Sequence, residues 1–139
     1  MDASVGIPPA VSEETRAFWE AAGEGRLLVE RCQACGADSF PPTGMCPRCR
    51  ARVVSPVEVR SRGRVYSFTV NHQRWMAGLE VPYALVIVEW PEHPGVRVMG
   101  RLRGCAPEAV SIGMPVEVGF VEGPGGFAIP SFVAVGVDG

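Results

Sequence analysis

Downstream of residue 52 the chain runs in short stretches rich in β-branched and aromatic residues: VVSPVEVR (53–60), GRVYSFTVNH (63–72), PYALVIVEW (82–90), GVRVMGRLRG (95–104), PVEVGF (115–120) and FAIPSFVAV (127–135). Several alternate, with Val57 and Val59 set against Glu58 and Arg60, and Val116, Val118 and Phe120 against Glu117 and Gly119. A period of two is that of a strand with one buried and one wet face. Gly, Pro and polar turns such as WPEHPG (90–95) and EGPGG (122–126) separate the stretches. Five or six short strands at such spacing, with a helical hint at PEAV (107–110), predict a small antiparallel sandwich or closed barrel over 53–137. Tyr66, Phe68 and Val70 are read as sharing its inner side.

The first 52 residues have a different pattern. From Ser12 to Gly23 the sequence predicts a short helix, with Ser12 as N-cap, Glu13 and Glu14 in the first turn, and Gly23 and Gly25 closing it. Phe18 and Ala22 are i, i+4 neighbours and Trp19 lies beside them, so one stripe is apolar. A helix of about three turns is marginal alone. It must dock, either on its own core or on a partner, and Phe18, Trp19 and the distant Trp75 are candidate partner contacts. RLLVER (26–31) reads as a strand leading into RCQACGADSFPPTGMCPRCR (31–50). There is no internal repeat, and residues 1–10 read as frayed.

That cysteine segment places two Cys-x2-Cys pairs ten residues apart, Cys32 and Cys35, then Cys46 and Cys49. Each pair forms a tight knuckle whose backbone N–H groups can also point at sulfur, and two knuckles supply four tetrahedral thiolate ligands. Four protein sulfurs close the coordination sphere, so the expected role of the metal is structural. Zinc fits best, and a rubredoxin-type iron uses the same geometry. Few large apolar residues lie between 32 and 49, so this segment needs such a clip to fold.

Composition narrows the remaining classes. At 47% hydrophobic and 20% charged, the chain is that of a globular protein. No apolar stretch reaches the roughly 20 residues of a membrane span, and MDASVGIPPA has no leader pattern, which points to the cytoplasm. There thiols stay reduced, favouring metal over disulfides. All 13 basic residues are arginine. Residues 26–64 hold eight of them against three acids, a net of +5 in a chain of net −2. Cys105, His72 and His93 carry no base-and-orienter pattern, and no phosphate-loop, dinucleotide or nucleophile-elbow motif occurs, so no catalytic centre is named.

Taken in order, FWEAAGEGRLLVERCQACG, FPPTGMCPRC, SRGRVYSFTVNH, PYALVIVEW and GRLRGCAPEAVSIGMPVEVGF resemble the family first catalogued as "domain of unknown function 35", from about Phe18 to Phe132. The resemblance implies a mainly β chain, with an N-terminal helix and rubredoxin-like zinc ribbon (12–52) followed by an OB-fold barrel (53–137). It also implies a non-catalytic accessory subunit for acyl-CoA chemistry, beside a thiolase-superfamily acyltransferase, thiolase or steroid retro-aldolase, or a MaoC-like hydratase. These 139 residues include no hydratase portion, so a separate partner in a hetero-oligomer is expected to supply catalysis. Arginine can hold the phosphates of coenzyme A bidentately, which makes Arg31, Arg48, Arg50 and Arg52, with Phe40 at an apolar rim, candidate acyl-CoA contacts. The competing reading is a single-stranded nucleic-acid module, with Tyr66, Phe68 and Trp75 as stacking platform and Arg60, Arg62 and Arg64 as rails. Overall acidity and the expected burial of Tyr66 and Phe68 weigh against nucleic acid. A stand-alone enzyme using Cys105 or a histidine is the weakest reading.

Overall fold

The computed structural model describes residues 6–136. Helix α1 (Arg16–Gly23) begins one turn later than predicted. The Thr15 N–H donates to Ser12 Oγ at 3.3 Å and the Ser12 N–H to Thr15 Oγ1 at 2.9 Å, closing a separate turn before the helix. Ser12 therefore closes that turn and does not cap the helix, whose N-cap position is Thr15, with no side-chain cap bond. The fraying expected at 1–10 falls partly outside the described residues.

Strands β1 (Leu27–Cys32), β2 (Asp38–Ser39) and β3 (Val54–Val59) form an antiparallel sheet in the order β2-β1-β3. The strand at 54–59, placed in the barrel by its alternation, pairs with β1 from Leu27↔Val59 to Cys32↔Val54. Alternation shows that a strand has an apolar face, but not which edge it pairs with.

Strands β4 (Gly63–Asn71), β5 (Tyr83–Glu89), β6 (Arg97–Arg103), β7 (Pro115–Glu122) and β8 (Ala128–Ala134) close into a barrel in the order β4-β5-β6-β8-β7. Gly63↔Val116 and Arg64↔Pro115 seal β7 to β4, and the β6–β8 pair is parallel. This is a five-stranded OB-fold, and the helical hint is a 3-10 turn at Pro107–Ala109. Val65, Val86, Val88, Val98, Val116 and Phe132 fill the barrel, and the Trp90 indole N–H donates to the Ser61 carbonyl at 3.2 Å. A side chain at Gly63 would place Cβ 2.4 Å from Val88 Cγ1 and 2.9 Å from the Trp90 ring, so only glycine fits there.

Leu27, Val29 and Val59 of the ribbon sheet and Phe18 of α1 belong to the same apolar cluster as the barrel interior. The helix is the shared wedge: the Phe18 ring lies 5.6 Å from Phe40 of the ribbon, and Trp19 lies 5.5 Å from Phe127 of the barrel. Among the described residues no helix is long and apolar enough to cross a membrane.

Candidate metal centre and its seat on the barrel

Two local turns of the same design present the cysteines. In the first, the N–H groups of Ala34 and Cys35 point at Cys32 Sγ at 3.3 and 3.4 Å, and the Gly36 N–H donates to the Cys32 carbonyl at 2.9 Å. In the second, Arg48 and Cys49 do the same for Cys46 Sγ at 3.4 Å each, and the Arg50 N–H donates to the Cys46 carbonyl at 2.9 Å. Each turn needs a left-handed residue just after its second cysteine. Gly36 takes φ 79° freely, whereas Arg50 takes φ 67° with a side chain attached.

All four Sγ atoms lie within 4.8 Å of one another, with Cys32 to Cys49 at 3.5 Å and Cys35 to Cys46 at 3.6 Å. Sulfurs about 2.3 Å from a tetrahedral ion stand roughly 3.8 Å apart, so the constellation fits zinc with little adjustment. Cys32 and Cys46 are buried and Cys35 and Cys49 exposed. The backbone N–H of Cys49, with that of Arg48, pulls the Cys46 thiol down to about 6, and the Cys35 and Ala34 N–H groups lower Cys32 in the same way. At Cys49 the Ala51 N–H also lowers the thiol, but the neighbouring sulfurs and burial outweigh it and push it up to about 11. Four thiolates do not share this space without a cation to balance them. The ribbon is thus a structural zinc site with no position left for substrate.

The ribbon is held to the barrel by a contact that the sequence did not reveal. Asp38 on β2, its side chain only 4% exposed, receives Arg31 Nε at 2.7 Å on Oδ1 and Arg31 Nη2 at 3.1 Å on Oδ2. The same Oδ2 meets His93 Nδ1 at 2.8 Å, and His93, in the β5–β6 turn, is equally buried. Burial pushes the Asp38 carboxyl up, yet the hydrogen bonds from Arg31 and His93 hold it below its ordinary value. The carboxylate is therefore ionised and the imidazole Nδ1–H donates to it. These residues lie 55 positions apart, in a two-residue strand and a proline-flanked turn, and no periodicity links them.

Several expected site residues have other work. Phe18 is 7% exposed and lies in the core, and Trp19 is half-buried against Phe18 and Phe127, so α1 has docked on its own protein and its rings are not free partner contacts. Arg31 is held by Asp38, and Phe40 packs against the core cluster. Arg48, Arg50 and Arg52 are exposed around the second knuckle, and Trp75 is 72% exposed. Tyr66 does not share a side with Phe68 and Val70 as read from the sequence. A bulge between Val65 and Ser67 turns Tyr66 outward, under the Arg97 guanidinium at 3.8 Å, while Phe68 pairs in register with the buried Val86 but, at 38% exposed, is not the core residue expected. Arg97 thus covers one face of the Tyr66 ring, which is 43% exposed. His72 is exposed, and burial pushes the Cys105 thiol up, away from nucleophilic character.

Comparison with known proteins gives matching assignments. The family model for the ChsH2 rubredoxin-like zinc ribbon matches residues 19–55, and that for the ChsH2 C-terminal OB-fold domain matches 56–121. A solved structure described as the Ltp2-ChsH2(DUF35) aldolase superposes with a TM-score of 0.80 at 34% identity, covering 91% of this chain and 98% of that one. The chain belongs to the ChsH2/DUF35 family. Among family relatives, a probable enoyl-CoA hydratase alpha subunit from Thermomonospora curvata is 36% identical over 124 residues, 89% of this chain and 38% of the relative. The 3-oxo-4,17-pregnadiene-20-carboxyl-CoA hydratase alpha subunit of Mycobacterium tuberculosis is 33% identical over 124 residues, covering 89% of this chain and 39% of its own length. The chain thus spans about two fifths of these two hydratase subunits.

Proposed function

We propose that this DUF35 chain is the non-catalytic subunit of a cytoplasmic acyl-CoA-processing complex, assembled with a thiolase-superfamily enzyme that supplies the reacting groups. The observation that carries the reading is its likeness, at 34% identity and over nearly the whole of both chains, to the ChsH2(DUF35) chain of an aldolase assembly. Further support comes from what the described residues contain: a closed tetrathiolate site, and a histidine–aspartate pair buried in the ribbon–barrel contact. The subunit's work is to complete the partner's substrate entrance. Arg48, Arg50 and Arg52, exposed on the rigid second knuckle, bind the phosphates of coenzyme A, whereas Arg31 and Phe40 act indirectly by holding the ribbon in place. A bulky 3-oxo- or 3-hydroxyacyl thioester, such as a steroid side chain, is the substrate class.

The test is co-expression with the thiolase-superfamily subunits of the same genome, followed by acyl-CoA turnover and calorimetry. The reading expects turnover only in the assembled pair, and weaker acyl-CoA binding by the pair carrying Arg48→Glu and Arg50→Glu. Turnover by the isolated chain would refute the accessory role; unchanged affinity in the double variant would remove the arginines from the site.

A further inference from the structure

The four ribbon sulfurs form two unlike layers. Cys35 and Cys49 are exposed at the outer edge, while Cys32 and Cys46 lie beneath them at 2% and 1% exposure. The layers also differ in what their sulfurs receive. Cys32 Sγ takes the N–H groups of Ala34 and Cys35, and Cys46 Sγ those of Arg48 and Cys49. Cys49 takes one, from Ala51, and among the described residues no backbone N–H is directed at Cys35 Sγ. Each N–H drawn onto a sulfur withdraws electron density from it, so the outer sulfurs are both the accessible and the stronger nucleophiles. Each also touches an inner sulfur of the opposite knuckle, Cys49 on Cys32 at 3.5 Å and Cys35 on Cys46 at 3.6 Å. An exposed thiolate beside a second sulfur that can resolve it is the arrangement of a peroxide-reactive cysteine.

We propose that hydroperoxides oxidise this site, exchanging the metal clip for two disulfides across the knuckles, Cys32–Cys49 and Cys35–Cys46. The proposal needs only the ribbon's own geometry and stands apart from the function proposed above. A bound zinc ion keeps all four sulfurs as thiolates. The Cys49 thiolate attacks the terminal oxygen of the hydroperoxide; an S–O bond forms, the O–O bond breaks, and the departing alkoxide or hydroxide takes a proton from water. Cys49 is then a sulfenic acid. The Cys32 thiolate next attacks the Cys49 sulfur, so that the S–S bond forms as the S–O bond breaks and hydroxide leaves. Two thiolates have lost two electrons and one hydroperoxide has gained them. A second hydroperoxide oxidises Cys35 and Cys46 in the same way. Once sulfurs are spent on disulfides the ion is no longer held, and its release reports the reaction. Bonds across the knuckles tie together the same two turns that the ion ties, so the oxidised ribbon keeps its place on the barrel. Cys105 takes no part: it is half-buried, and burial pushes its thiol up.

The zinc-loaded full chain is titrated with hydrogen peroxide while a chromogenic chelator records metal release. Peptide mapping by mass spectrometry is expected to find Cys32–Cys49 and Cys35–Cys46, formed in step with the loss of one zinc ion per chain. At low peroxide a dimedone tag for sulfenic acid should favour Cys35 and Cys49 over the inner pair by at least about fivefold. Dithiothreitol and zinc should restore the starting protein, and amide-exchange protection across 27–59 should survive oxidation, unlike in a variant that has lost a ligand. Cys105→Ser should change the rate of zinc release by less than about twofold. Zinc retained at peroxide levels that already oxidise Cys105 would overturn the proposal. So would disulfides within each knuckle or between chains, sulfinic acids without disulfides, loss of protection across 27–59, or a rate that collapses in Cys105→Ser.

Discussion

Replacing Asp38 with Asn tests how the ribbon is seated. The carboxylate accepts three hydrogen bonds, two from Arg31 and one from His93, with its side chain only 4% exposed. An amide of the same shape has one oxygen and one NH2. Whichever way it turns, at least one of its N–H groups faces an Arg31 nitrogen, so at least one charge-assisted bond is lost. Such a bond contributes about 1.5–3 kcal/mol when buried, and the half-exposed guanidinium places the expected loss in the lower part of that range, about 2 kcal/mol. For a chain of this length that lowers Tm by roughly 6–8 °C, measured by calorimetry on zinc-loaded protein at neutral pH. The acid side adds a second check. A carboxyl held below its ordinary value contributes stability that is full above the unfolded value near 3.9 and is lost as pH falls through the folded value. The gap between wild type and Asp38→Asn should therefore be constant above about pH 5 and narrow below about pH 4. A variant melting within about 1 °C of wild type at pH 7, or a gap that does not narrow in acid, would refute this account of the seat.

The zinc ribbon and the second knuckle give two further predictions. Cys46→Ser should abolish zinc binding by elemental analysis and remove amide-exchange protection across 27–59 while β5 and β6 stay protected; a zinc-free ribbon that keeps its protection would contradict a structural metal. Arg50→Gly should raise stability by about 0.5–1 kcal/mol in urea melts, because it relieves a side chain at φ 67°. The same substitution should weaken acyl-CoA binding by the complex, so a less stable variant, or one that binds coenzyme A thioesters better, would contradict the roles given to Arg50.

Much of the molecule was legible in the sequence because its signals are local. Cys-x2-Cys spacing fixes a turn whose own N–H groups meet the sulfur, so four ligands could be named without knowing the fold. Period-two alternation located the long strands within a residue or two, since it reports a half-buried pleat wherever the strand sits. Pairing is a different matter, because an apolar face does not specify which edge it joins. Residues 54–59 alternate like barrel strands yet hydrogen bond to β1, and one bulge at Val65 and Ser67 is enough to part Tyr66 from Phe68.

What the sequence determined alone was a tetrathiolate clip, a set of strands and a helix with one apolar stripe. Tertiary structure decided how these are used. It buried Phe18 and packed Trp19 against the shared core, joined Asp38 to His93 across 55 residues, and set Arg97 and Arg101 over two tyrosines. The reason is range: knuckles and pleats arise within a few bonds, while a buried ion pair between distant residues exists only once their elements have packed together.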